Sequence, residues 1–443
     1  MATRISRTNT TPTLSTKCTF SAWVKRTDTA LNIAGRDAVL CENYIDANNY
    51  AWIRLDGGDK LNVYGQISGS NFVSISASAM FRDTNAWYHI VCVLDSTEST
   101  STDRLKIYIN GERQTALSGS TYPSGNVGFN TSGGTFILGD SLKYTSNFQF
   151  DGQYSHVHFI DGEAYQASTF GSTDSTTGEW KINTSPTITE YGANGFFMFK
   201  DDASLNDNSG KGNNFTVAAG SIQKTEDNPS NVFATLNPLT KGVSASAYPT
   251  FANGNTTITN TVRQHGFSSL GVSSGKWYTE FKITSGATSS VTGISDGSYT
   301  TYLGHGTGDY SYRGSDGTWY NNQSATSYGS ALSDNDIVGV ALDLDNNKLY
   351  FSINGTFQNS GDPTSGATGT GAISISAPAT GFYHFATGNI LTSGTITAQS
   401  NFGNGYFGTT AISSEGTNAS GIGKFEYDVP TGYTALSTKG LNE

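Results

Sequence analysis

Charge is scarce in this chain. Only 14% of its 443 residues are Asp, Glu, Lys or Arg, and acids outnumber bases to a net charge of −11. No cluster of Lys and Arg offers itself to phosphates, which argues against nucleic acid and anionic membrane as partners. No apolar run approaches the ~20 residues of a membrane-spanning helix, so no membrane insertion is expected. The opening MATRISRTNTTPTL has no apolar core behind its basic residues. It does not read as a secretory signal, and folding in a cytoplasm is expected. Cysteine is rare: Cys18, Cys41 and Cys92 are an odd number for a disulfide framework. Each lies in or beside a strand-like run, which points to small buried hydrophobes and not to nucleophiles. Long capped helical periods are missing, and only AYQASTFG (Ala164–Gly171) hints at a helical turn.

Glycine and aromatics are plentiful: 52 Gly, 23 Tyr and 24 Phe. Disordered chains lack such an aromatic supply. Turn residues at short intervals between β-branched and aromatic runs suit β-sandwiches with many loops. The length calls for more than one domain.

One unit is written twice. RLKIYING (Arg104–Gly111) and KLYFSING (Lys348–Gly355) alternate apolar and polar residues, as a half-buried strand does. Each ends in Asn-Gly, the pair that suits the positive φ angles of a type I′ hairpin. Each follows an apolar run, IVCVLD (Ile90–Asp95) or IVGVALD (Ile337–Asp343), that reads as a strand covered on both faces. One such unit in each half predicts an all-β chain with two antiparallel sandwich domains.

The first half carries CTFSAWVKRT, YAWIRLDGGDKLNVYGQ, NAWYHIVCVLD, DRLKIYINGE, GGTFILGDS and FDGQYSHVHFIDGEAY. In this order they resemble the laminin-G-like, concanavalin-type jelly roll. The matching positions are Trp23, Trp87-Tyr88-His89, Asn110-Gly111, Leu138-Gly139 and Phe150-Asp151-Gly152. The second half carries GKWYTEFKI, YSYRGSDGTWYNN, SDNDIVGVALDLDNNKLYFSINGTF and SNFGNGYFG, and resembles a SPRY domain, with Ser311 where that family usually has Gly. The expected organisation is a concanavalin-like sandwich over 1–170 and a loop-rich connector over 171–240, whose strand Phe196–Phe199 packs on the first sandwich. A SPRY-like sandwich then spans 241–410. The tail over 411–443 reads as contributing little core, and EDNPSNVFATLNPL (Glu226–Leu239) as a linker ending in a strand.

The combination, with DNSGKGNNFT, DNPSNVFATLNPL and PTGYTAL, also resembles virion-surface structural proteins of marine bacteriophages. The resemblance implies a structural protein of the phage virion, folded in the host cytoplasm, homo-oligomeric, and partnered by other virion proteins. It further implies host attachment through lectin-like binding of cell-surface glycan. The alternative is a capsid or vertex appendage that mainly contacts other virion proteins. The sandwich begins almost at Met1, without the N-terminal anchor of many tail fibres, which is expected to favour the appendage.

Catalytic constellations are not apparent. A retaining glycosidase needs two carboxyls about 5 Å apart, and concanavalin-like members place Glu-x-Asp-x-Glu on one strand; no such run occurs. Asp334/Asp336, Asp343/Asp345 and Glu426/Asp428 read as turn-forming acids. A polysaccharide-degrading enzyme is therefore the least favoured reading, and no enzyme and no cofactor are expected. DLDNNKL has Lys348 and Asn354 where an EF-hand loop needs Gly and Glu. DANNYAW and LDGGDK could lend oxygens to a cation, and His156 with His158 could share a strand face; solvated loops and core histidines are the plainer readings, and no metal is expected. GHGTG (Gly304–Gly308) has no helix behind it and reads as a loop. The remaining signal is YTTYLGHGTGDYSYRGSDGTWYNN (Tyr299–Asn322). Tyr312 and Tyr320 fall on strand positions. Tyr302, His305, Tyr310 and Trp319 are the expected ligand-binding loop residues, since exposed rings stack on sugars and serve protein contacts equally well.

Overall fold

A computed structural model describes residues 3–27, 35–144, 146–239, 248–298 and 301–442. The chain is nearly all β, with 43% strand and 5% helix. It divides into two compact units, Met1–Lys224 and Thr225–Glu443. The boundary expected at 240/241 falls outside the described residues.

In the first unit two antiparallel sheets enclose one core. The eight-stranded sheet runs Leu117–Thr121, Ser70–Met80, Lys60–Ile67, Asn49–Leu55, Ala38–Asp46, Thr135–Leu138, Arg4–Thr8 and Thr216–Ala219. The six-stranded sheet runs Phe196–Met198, Gly152–Asp161, Lys17–Arg26, Trp87–Asp95, Leu105–Ile109 and Glu112–Arg113. Strand alternation sends Ala51, Ile53 and Leu55 inward, to meet Phe20, Ile90, Cys92 and Ile107 from the other sheet. Phe196 and Met198 join that core, and Thr216–Ala219 pairs with Arg4–Thr8.

The hairpin behaves as its residues dictate. Asn110 and Gly111 have φ of 48° and 80°, and Asn354 and Gly355 have 48° and 81°, the left-handed pair of a type I′ turn. Asn110 Oδ1 accepts the N–H of His89 at 2.8 Å, and Asn354 Oδ1 accepts that of Ile337 at 2.9 Å. The turn therefore ties the hairpin strand to the buried strand before it.

The outer faces differ from expectation. RLKIYING reads as half-buried, yet residues 164–191 cross the outside of the six-stranded sheet over its Tyr108 side. Ala167, Phe170, Trp180 and Tyr191 pack there on Val91, Val93 and Ile160. Among them His89 is held between Trp23 and Trp180, with Ser21 Oγ on Nε2 at 2.9 Å and Trp180 Nε1 donating to Nδ1 at 3.0 Å.

The second unit repeats the plan. One sheet runs Thr250–Ala252, Thr257–Asn260, Ile396–Asn401, Lys276–Ser285, Ile337–Asp343, Lys348–Ile353 and Thr356–Phe357. Ile373–Ser374 and Thr434–Ala435 add to it at the side. Its partner runs Gln264–Phe267, His384–Asn389, Ser290–Ser295, Asp309–Arg313, Thr318–Asn321 and Ser324–Ser327. Leu349 and Phe351 face the core, with half-buried Ile353 packed against it.

Two expectations are overturned here. The tail does contribute core: Ile422, Phe425, Val429 and Tyr433 bury Tyr278 and Tyr350 on the outer face of the larger sheet. Residues 226–239 are no free linker, because Phe233 bridges to Ser437 and Leu236 to Ser268, both apolar side chains being buried. Glycine- and proline-rich segments can seal a sheet face as irregular straps, which carry no strand or helix period to announce them.

Candidate functional site

The outer face of the eight-stranded sheet carries a ring platform laid out by strand register. Glu42 pairs with Trp52 and Trp52 with Tyr64, forming one cross-strand row. Tyr44, Tyr50, Gln66 and Asn71 form the next row. Arg54 and Asn62 form a third. Alternation forces this: with Ala51, Ile53 and Leu55 inward, Tyr50, Trp52 and Arg54 must point outward.

The rings pack as a plate. Tyr50 and Trp52 centroids lie 4.9 Å apart, and Trp52 and Tyr64 5.7 Å apart. Tyr144 and Phe148, from the loop after the strand Thr135–Leu138, stack at 4.5 Å and approach Trp52 at 5.8 and 6.0 Å. Tyr144 is 42% exposed, while Tyr44, Tyr64 and Phe148 are half-buried. Arg54 lies 4.5 Å over the Trp52 ring and Lys143 4.6 Å over Tyr50, the geometry of cation–π contacts.

Polar groups line the plate. Tyr64 OH donates to Asn71 Oδ1 at 2.8 Å, and Gln66 Nε2 donates to Tyr64 OH at 2.8 Å and to Asn71 Oδ1 at 3.1 Å. Burial raises the Tyr50 hydroxyl, and its bond to Tyr64 adds to this. Glu42 is fully buried, and burial lifts its carboxyl to about 7 against the pull of the Leu142 N–H and Ser141 Oγ. Trp52 Nε1 and Trp23 Nε1 are both buried without an acceptor among the described residues. The arrangement offers stacking surface plus amide and hydroxyl groups, which is what a sugar ring requires.

The four residues expected from sequence do not form one surface. Tyr310 lies on the strand Asp309–Arg313, is buried, and receives the Ser376 N–H at 3.0 Å on its hydroxyl. Trp319 is half-buried on the next strand, pairs with Tyr312, and packs against the core beside Tyr310. Tyr302 is buried on the opposite face, beneath the Arg263 guanidinium and against Tyr320. His305 is half-buried, edge-on to Tyr302. Strand pleating separates the two pairs, and burial of Tyr302 and Tyr310 removes the exposed loop rings on which the expectation rested. Tyr299 lies outside the described residues.

The acids are engaged in turns. Asp334 accepts Ala287 N–H, Asp336 accepts Ser333 N–H, Asp345 accepts Gly275 N–H, and Asp343 binds Asn346 and Lys276. Glu426 and Asp428 accept from Ser413 and Thr417. His156 and His158 flank Phe197; His158 is buried and shares a hydrogen bond with Tyr191. In LDGGDK, Asp59 is taken by Arg26 and Arg82. Among the described residues no group of three or more His, Cys, Asp or Glu is placed to hold a metal ion, and no helix is long and apolar enough to cross a membrane.

The platform was missed in the sequence, although its signal was present. NYAWIRL alternates large rings and Arg against Ala, Ile and Leu, so its aromatic side is the outward one.

Residues 3–169 match the concanavalin A-like lectin/glucanases superfamily, and residues 276–377 match the SPRY domain. The chain thus carries a concanavalin A-like domain in its first unit and a SPRY domain in its second. No curated protein matches it. Among solved structures, the SPRY domain of human HERC1 is 17% identical, covering 34% of this chain and 91% of that one, with a TM-score of 0.28. A heptameric SAP-like pentraxin from Limulus polyphemus is 16% identical, covering 41% and 86%, with a TM-score of 0.29. A candidate carbohydrate-binding protein from Bacteroides ovatus is 16% identical, covering 49% and 58%, with a TM-score of 0.33.

Proposed function

We propose that this chain is a non-enzymatic structural protein of a phage virion surface that binds host glycan through its first unit. The two domain families fit carbohydrate or protein binding, and the observation that carries the glycan reading is the ring platform. Its Tyr64 and Tyr144 rings, backed by the buried Tyr50 and Trp52, combine stacking faces with the amide and hydroxyl groups of Gln66 and Asn71. The virion setting rests on the phage-like motifs that span most of the sequence. In this reading the protein folds in the host cytoplasm and assembles as a homo-oligomer with other virion proteins. Many weak sites on one particle would then act together through avidity.

The test is particle adsorption. Virions carrying Tyr64→Ala and Tyr144→Ala should assemble normally and adsorb poorly to host cells. Antibody labelling of intact particles should place the chain at the tail. Head labelling with normal adsorption would favour the capsid-appendage reading, and absence from particles would end the virion proposal. Depolymerisation of host polysaccharide that disappears in an Asp or Glu variant would end the non-enzymatic one.

A further inference from the structure

The platform's charges are already spoken for, which bears on the kind of glycan it takes. Arg54 is paired with Asp37, and its Nε donates to Asn62 Oδ1 at 3.0 Å. Lys143 sits over Tyr50 and donates to the Ala47 carbonyl. Glu42 is turned to Ser141 and Leu142. A carboxylated or sulfated sugar would need Arg54, or would have to draw Lys143 from the Ala47 carbonyl and the Tyr50 ring. Drawing Arg54 away would strand Asp37, which is only 12% exposed. An uncompensated, largely buried carboxylate is costly.

Away from Lys143, the polar groups that face solvent are neutral. The Tyr64–Gln66–Asn71 triad uses Tyr64 O–H, Gln66 Nε2 and Asn71 Oδ1 internally. Gln66 Oε1 and Asn71 Nδ2 remain, one acceptor and one donor side by side on paired residues. That pair is complementary to two neighbouring hydroxyls, one giving and one receiving a proton. Beside it lies the half-buried Tyr64 ring, backed by Trp52, a surface for the C–H face of a pyranose.

We infer that the platform binds a neutral polysaccharide, with Tyr64 as the stacking ring and Gln66 and Asn71 as the diol clamp. This rests on the glycan-binding reading above. The test is affinity electrophoresis of the full chain in gels containing mannan, dextran or galactan as neutral probes and alginate or a sulfated galactan as acidic ones. Retardation by a neutral probe, unchanged by added salt, is expected, since no ion pair forms. Tyr64→Ala should weaken it about fivefold, and Gln66→Ala should weaken it at an unchanged melting temperature. Retardation by an acidic probe alone, relieved by salt and lost in Tyr64→Ala, would overturn the neutral class and leave the platform standing. Retardation by none of the probes, or retardation indifferent to Tyr64→Ala, would overturn the platform itself.

Discussion

Glu280 sets burial against hydrogen bonding, and its replacement by Gln decides between them. The residue sits mid-strand in Lys276–Ser285 with no exposure. Its carboxyl accepts the N–H groups of Glu426 and Tyr427 at 2.9 Å each, Asn401 Nδ2 at 3.2 Å and Tyr278 O–H at 3.3 Å. The donors favour the charged form, burial disfavours it more, and the carboxyl rises from its ordinary value near 4.5 to about 7. Between those values the folded unit keeps a proton that the unfolded chain has released. Stability therefore falls as pH rises from about 4.5 to about 7 and is level above. The gap amounts to about 3 kcal/mol. Gln cannot ionise, but its NH2 offers no lone pair to the two donors on that side, a fixed cost at every pH; measured against the parent, Glu280→Gln should therefore gain up to that amount between pH 4 and pH 8. For a unit of this size that is roughly 6–12 °C in melting temperature. Every other titrating group cancels in the comparison at fixed pH. Calorimetry of the full chain and the variant at both pH values is the measurement. A variant that gains nothing on the parent between pH 4 and pH 8 would refute the reasoning, because the four donors would then outweigh burial.

Other outcomes follow from packing. Cys18, Cys41 and Cys92 are buried in one core and their thiols are raised by burial, so a thiol reagent should label none in the native chain and all three in urea; native labelling would show that the core opens. Gly111→Ala and Gly133→Ala both place a Cβ at positive φ, but only at Gly111 would it meet a ring, Trp180 at 2.3 Å. Gly133→Ala should cost about 1 kcal/mol and Gly111→Ala clearly more, read as unfolding midpoints. Phe425→Ala empties a buried site against Tyr278 and should cost about 3–5 kcal/mol in the second unit; an unchanged midpoint would mean the tail does not seal that sheet.

The sandwiches were legible because their signals are local. Asn-Gly needs only its own φ preferences, and IVGVALD needs only its neighbours to read as a strand. The straps were not legible. Ile422, Phe425, Val429 and Tyr433 are spaced as on a helix, but Pro430 intervenes and Gly421, Gly423 and Gly432 sit at φ of 67°, 79° and 86°, which forbids one. What remains is apolar residues in an irregular segment, and their burial depends on a sheet far away in sequence. The same gap hid the burial of the loop rings. Glycines around Tyr302 and Tyr310 suggested exposed rings, whereas exposure depends on what crosses a sheet face.

That dependence also explains why the ring platform stands apart. Across the six-stranded sheet of the first unit lie residues 164–191, with Trp180 against the Gly111 turn. Across the larger sheet of the second lie residues 422–435, with Tyr427 against the Gly355 turn. The second unit's other sheet is covered by Tyr302 and Leu303. Each cover seals aliphatic residues and rings together, Val91, Val93 and Ile160 with His89 in one case and Ala341 with Tyr278 and Tyr350 in another. Among the described residues, the outer face of the eight-stranded sheet has only Tyr144 and Phe148, with Lys143 beside them, over it. There the side chains are Tyr, Trp, Asn and Gln in register. A sheet that needed only to be soluble would carry Thr, Ser and Lys on that face. Large rings held in rows on that face, with Tyr64 and Tyr144 reaching solvent, are what the proposed glycan contact would use.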